Sequence, residues 1–127
     1  MTDLSTLTGP QLSALVAELR GWTEDQPSWC KVPHWFDFYG EVQSAVSLYR
    51  PDRDIGQAME LLTSLPDNYR WTLDGTPEAL GQNHSCAIFR ITSEAWEEVG
   101  HLAYSSLARA VCEAWCQAME KAKEASK

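Results

Sequence analysis

The chain has 127 residues, 44% of them apolar, and 18 acidic against 10 basic side chains give a formal net charge of −8. This composition suits one globular domain over residues 1–127 and is too apolar for a disordered chain. The acid excess argues against a nucleic-acid binder, because phosphate contacts need clustered Lys and Arg. The sequence also lacks the run of about 18 apolar residues that crosses a bilayer.

Residues 1–7 are polar around two leucines and are expected to be loosely held, as are residues 125–127. Thr8-Gly9-Pro10-Gln11 announces a first helix, with Thr8 as cap, Gln11 completing a capping box and Pro10 in the first turn. Leu12, Leu15, Val16 and Leu19 follow at helical spacing, and Gly21 is a natural stop.

Residues 22–39 hold Trp22, Trp29, Trp35, Phe36, Phe38 and Tyr39, six of the thirteen aromatics. Pro27 and Pro33 break this stretch, so no long helix fits it. Tyr39-Gly40-Glu41 reads as a turn between strands at 34–39 and 42–48.

A second helix opens at 51–54 with Asp52 as the expected cap. Ile55, Ala58, Met59, Leu62 and Leu65 form its apolar stripe, and Pro66 stops it. Residues 69–73 and 86–91 read as strands, with a loop over 76–83. Residues 94–100 fit either a short helix or a third, irregular strand. The last helix starts at Ser105 or Ser106 and reaches about residue 124. Leu107, Ala108, Val111, Ala114, Trp115, Ala118 and Met119 share its apolar arc, and Arg109, Glu113, Gln117, Glu120 and Glu124 oppose them.

Signatures of chemistry are sparse. All seven glycines are isolated, so no nucleotide-binding loop or serine-hydrolase elbow can be written. A Cys–His nucleophile could be drawn, for example Cys86 near His84 or His101, but without an orienting third group. Cys30, His34, Cys112 and Cys116 form a Cys₃His zinc pattern on paper. Core thiols are the expectation instead, because free cysteine packs as a small hydrophobe; no metal and no cofactor are expected. Asp52 and Asp54 suit a helix start, and Glu94, Glu97 and Glu98 a solvated face. The acids form no continuous tract, which argues against mimicry of DNA.

The order of packing positions carries a resemblance. Leu15-Val16-Ala17-Glu18 closes on Gly21-Trp22, an aromatic hairpin surrounds Tyr39-Gly40, and Tyr49 precedes Asp54-Ile55. A helix ends near Pro66, Arg70-Trp71 opens a strand, and the final helix begins Leu107-Ala108-Arg109-Ala110-Val111-Cys112-Glu113-Ala114. Over roughly residues 9–122 this resembles small bacteriophage and prophage proteins that carry the phage ABA sandwich domain. The resemblance implies an α+β fold in which a small antiparallel sheet packs between helices. It also implies a phage or prophage origin and supplies no reaction and no site residues. Cysteine at the position of Cys112 is frequent in that family and implies packing.

The functional expectation is a non-enzymatic protein that binds and modulates a bacterial host protein in the host cytoplasm, an antiphage defence component being the natural target. Trp29, Trp35, Phe38 and Tyr39 are the expected contact residues, because one small core does not easily bury all six aromatics of this stretch. Two alternatives stand beside it. One is a self-assembling structural or regulatory phage protein, with a homodimer through a sheet edge or the last helix. The other is an enzyme using cysteine or a metal.

Overall fold

The computed structural model describes residues 4–75, 84–93, 95–104 and 107–125. The expected loop at 76–83, Glu94 and the helix start at Ser105 or Ser106 lie outside these residues. Three helices and two three-stranded antiparallel sheets make an α+β fold.

The first helix, α1, spans Gly9–Leu19 and begins as its sequence dictates. Thr8 Oγ1 accepts from Gln11 N at 3.3 Å while Gln11 Oε1 accepts from Thr8 N at 2.9 Å. Past its end Gly21 has φ +84°, a left-handed conformation that glycine adopts without a Cβ penalty. Ahead of α1, Leu4 and Leu7 pack on the core. Leu4 is buried in a 3₁₀ turn, Leu4–Thr6. Arg109 Nη2 donates to the carbonyls of Leu4 and Leu7 at 3.2 and 2.8 Å. That tie comes from the far end of the chain, which is why local polarity did not announce it.

Strands β1 (Thr23–Asp25), β2 (His34–Phe36) and β3 (Val42–Ala45) form the first sheet in the order β1-β2-β3. The expected hairpin is present with shorter strands. Residues 37–41 form its turn, and Val46–Leu48 turns into a 3₁₀ helix. β1 is an addition, paired through Glu24 opposite Trp35.

Helix α2 covers Ile55–Thr63. Its cap is Asp54, which accepts from Gln57 N at 3.1 Å, and not Asp52. Asp52 instead turns inward to Ser13 Oγ at 2.6 Å and takes two bonds from Arg50 at 2.8 and 2.9 Å. Ala58, Leu61 and Leu62 are the buried residues of α2, and Ile55 is exposed.

The second sheet is β4 (Tyr69–Gly75), β5 (His84–Ile91) and β6 (Trp96–Tyr104) in that order. β6 makes residues 96–100 of the ambiguous stretch a strand, with an irregular register between Ile88 and Phe89 of its partner. The last helix, α3 (Leu107–Ala125), packs on β5 and β6 and also on α1 and α2. Residues 110–116 of α3 are buried without interruption, Cys112, Glu113 and Cys116 included. Glu113 therefore sits inside, where Arg109 Nε donates to it at 2.8 Å, one turn away.

Close approach of α3 to β6 depends on Gly100. A Cβ there would fall on the backbone carbonyl oxygen of Ala114. One apolar cluster runs from Leu4 through Trp35, Tyr49, Leu61 and Ile88 to Ala118. Among the described residues no helix is long and apolar enough to cross a membrane.

Candidate protein-contact surface

The 23–48 sheet sorts its aromatics by backbone position. Alternation along β2 turns Trp35 inward, where it is 3% exposed among core residues, and leaves His34 and Phe36 half-buried. Trp35 is thus corrected from contact residue to core residue. Trp22 is also buried, stacked on Tyr49 with ring centroids 4.8 Å apart. Arg20 closes that stack from outside. Its guanidinium lies 4.3 Å over the Trp22 ring and donates to Tyr49 Oη at 3.0 Å and Glu60 at 3.2 Å. Burial raises the Tyr49 phenol above its usual range, and the Arg20 hydrogen bond offsets part of that rise.

Three aromatics remain outside: Trp29 is 65% exposed, Phe38 87% and Tyr39 85%. Phe38 and Tyr39 crown the β2–β3 turn, edge to face with centroids 5.6 Å apart. Asp37 holds that turn. Its Oδ1 accepts from Tyr39 N and Glu41 N, both at 2.9 Å, and its Oδ2 accepts from Gln43 Nε2 at 2.8 Å. Backbone bonds Asp37 N to Glu41 O and Gly40 N to Asp37 O close the loop at 2.9 and 3.0 Å, with Gly40 at φ +81°. The tip is pre-organised, so little ordering entropy opposes a contact made there.

Trp29 lies on the β1–β2 loop, 5.1 Å from the His34 ring and at the other end of β2 from the tip. His34 and Phe38 are four positions apart, a span of at most roughly 13 Å. A standard interface of roughly 800 Å² per partner covers both ends. Val32 and Val42, about half exposed, extend the two ends. Around them stand Glu24, Asp25 and Glu41, all exposed, against the single base Lys31 of this sheet.

The cysteines are placed differently. Cys86, Cys112 and Cys116 are fully buried, and Cys30 is partly exposed. Burial pushes the Cys86 thiol up to about 12 and moves Cys112 and Cys116 upward as well. All three are protonated at neutral pH, the reverse of an activated nucleophile. Among the described residues no three His, Cys, Asp or Glu side chains gather to hold a metal ion.

Among the described residues the buried carboxylates, Asp52 and Glu113, each face an arginine. At Asp52, burial acts to raise the carboxyl, but hydrogen bonds from Arg50 and Ser13 and the Arg50 charge outweigh it and hold the group below the usual carboxylate range. The same pairing raises Arg50.

The chain matches no family model, no curated protein and no solved structure. The resemblance to the phage ABA sandwich domain accordingly rests on the packing positions alone.

Sequence reasoning found the aromatic segment but not the division within it. Alternation alone sets Phe38 opposite Trp35, whereas Tyr39, four residues on, would share the Trp35 face of a continuous strand, and the strand end at Phe36 takes it out of the core. Asp37 was the missed positioning residue. An Asp opening a turn that ends in glycine is its local signal.

Proposed function

We propose that this chain is a non-catalytic protein-binding module of phage or prophage origin that acts in the bacterial cytoplasm. Its partner is a host protein, with an antiphage defence component as the natural target. The contact surface is the 23–48 sheet, with Trp29, Phe38 and Tyr39 as anchors and Glu24, Asp25 and Glu41 as an acidic rim. The observation that carries the reading is the rigid display of Phe38 and Tyr39, both more than four-fifths exposed, on a turn fastened by Asp37. Large apolar rings held in water on a fixed loop have no folding role, and aromatic anchors within a polar rim are the usual anatomy of an interface. The acidic rim selects a partner with a basic surface and speeds its encounter. Affinity capture from a bacterial lysate tests this. A protein retained by the native chain and lost from the F38A/Y39A variant is expected; identical retained sets would overturn the anchor assignment.

A second reading has its own observation. On the outer face of the second sheet Trp96 is 62% exposed beside Phe89, ring centroids 6.2 Å apart. Self-association through that face would leave α3 untouched, which suits its enclosure over residues 110–116. Light scattering at high concentration separates the two readings: a strict monomer removes the second.

A further inference from the structure

The two sheets present four edge strands: β1, β3, β4 and β6. Proteins blunt such edges, because a row of open N–H and C=O groups invites another strand. Three of the four are blunted here. β1 and β3 have three and four residues. β6 has an irregular register with β5 and packs on α3. β4 is the exception: its seven residues hold no proline and pair with β5 one for one without a bulge.

The ladder shows which groups of β4 are open. Ile91 N donates to Asn68 O at 2.7 Å, while Tyr69 N turns to Pro66 O at 3.0 Å. Antiparallel bonds fall on alternate residues. Arg70 and Thr72 therefore bond to β5, and the N–H and C=O groups of Trp71 and Leu73 face the other way. Among the described residues no strand stands on that side. The Tyr69 carbonyl, on the same edge, accepts from Arg70 Nη1 of its own chain at 2.8 Å. The side chains repeat the pattern. Trp71 and Leu73 pack on the core yet stay half-buried at its margin, and Thr72 is exposed on the opposite face.

We propose that β4 pairs antiparallel with β4 of a second copy, about a two-fold axis through Thr72, so that two three-stranded sheets become one of six. The order of residues in the strand argues for that occupant. A two-fold normal to the sheet pairs only residues of like face, and centring it on Thr72 is the one register that pairs all seven residues. Trp71 then meets Leu73 of the second copy, twice. These are the residues with open backbone groups, so they exchange both hydrogen bonds while each ring covers an aliphatic side chain. Arg70 meets position 74, an Asp, and these are the only two charges in the strand. The strand is thus complementary to itself in backbone, apolar surface and charge. This pairing is independent of the aromatic contact proposed for the first sheet and leaves that sheet free.

Thr72 lies on the axis and carries the test. In this register the two Thr72 residues form a non-hydrogen-bonded pair with Cα atoms roughly 4.5 Å apart, within disulfide range. Mild oxidation of C30S/T72C should give a covalent dimer about tenfold faster than C30S/R70C, whose cysteines lie roughly 13 Å apart along the strands. Sedimentation equilibrium of the native chain should show the dimer below about 1 mM, the weak end of the range for a contact this small. T72K should weaken it by about fivefold, because like charges meet on the axis, and mixing T72K with T72E should restore it. Circular dichroism should be unchanged in both, since Thr72 is exposed. W96S should leave the dimer intact, which separates edge pairing from association through the outer face. A strict monomer, equal cross-linking from positions 70 and 72, a dimer indifferent to T72K, or one lost in W96S would overturn the pairing.

Discussion

Two three-stranded antiparallel sheets, built from similar residue types, do opposite things. The 69–104 sheet accepts α3 so closely that β6 needs glycine at position 100, and Cys86, Ile88 and Val99 are sealed beneath it. The 23–48 sheet has strands of three or four residues, one buried aromatic in Trp35, and rings standing in water at both ends. Burial in the first follows from strand length: seven to nine residues give enough same-face positions to cover a helix. The second is too short to cover much, and its loops carry the aromatics. One sheet holds the fold together, and the other displays what the fold has to offer.

The contrast is broken most severely at Gly100. Gly100→Ala sets a methyl against the Ala114 carbonyl, where no side chain can yield, and forces α3 off β6. The expected loss is about 3 kcal/mol, or roughly 10 °C in Tm by calorimetry. An unchanged Tm would mean that the contact is looser than described. A comparable substitution on the exposed tip should move Tm by no more than about 1 °C.

Asp52 comes next, because it joins α1 to the segment before α2 through Ser13 and Arg50. Asp52→Ala should cost about 3 kcal/mol, since it strands Arg50 and removes the Ser13 bond. The pH dependence has a defined sign. The folded carboxyl lies below its unfolded value of about 4. Its contribution is therefore complete above that value and is lost as pH falls through the folded pKa. Urea titrations between pH 2 and 5 should show native stability falling with acid more steeply than in Asp52→Asn. Parallel curves would contradict the buried pair.

On the displaying sheet the expected effects shift from stability to binding. F38A/Y39A should weaken a captured partner by about thirtyfold or more, read by titration calorimetry, while stability moves by no more than about 0.5 kcal/mol. The smallest effect belongs to Asp37→Ala. Freed of its carboxylate bonds, the turn should open more often, and hydrogen exchange at the Tyr39 and Glu41 amides should rise about fivefold.

Local chemistry was legible where a few adjacent residues decide the outcome. Thr8 and Gln11 cap α1 with no help from elsewhere, and Leu12 and Val16 point inward by spacing alone. Legibility failed where distant residues decide. Asp52 and Asp54 look alike two positions apart, and only the approach of Ser13 from α1 assigns one inward and the other to the cap. Thr23-Glu24-Asp25 has no apolar alternation and becomes a strand through its pairing with β2. Glu113 falls on the polar arc of an isolated helix, yet α3 is enclosed from several sides and Arg109 accompanies the carboxylate inside. In the candidate surface, aromatic density marked the region. The short strand β2, ending at Phe36, separated Trp35 in the core from Tyr39 in water.

Photo-crosslinking in living bacteria gives the most direct test of the central claim, that the first sheet is the contact face. A benzophenone amino acid is placed at position 38 in one strain and at position 96 in another. The account predicts a discrete protein adduct from position 38 and none of comparable yield from position 96. Adducts from position 96 alone, or equal yields from both, would contradict it.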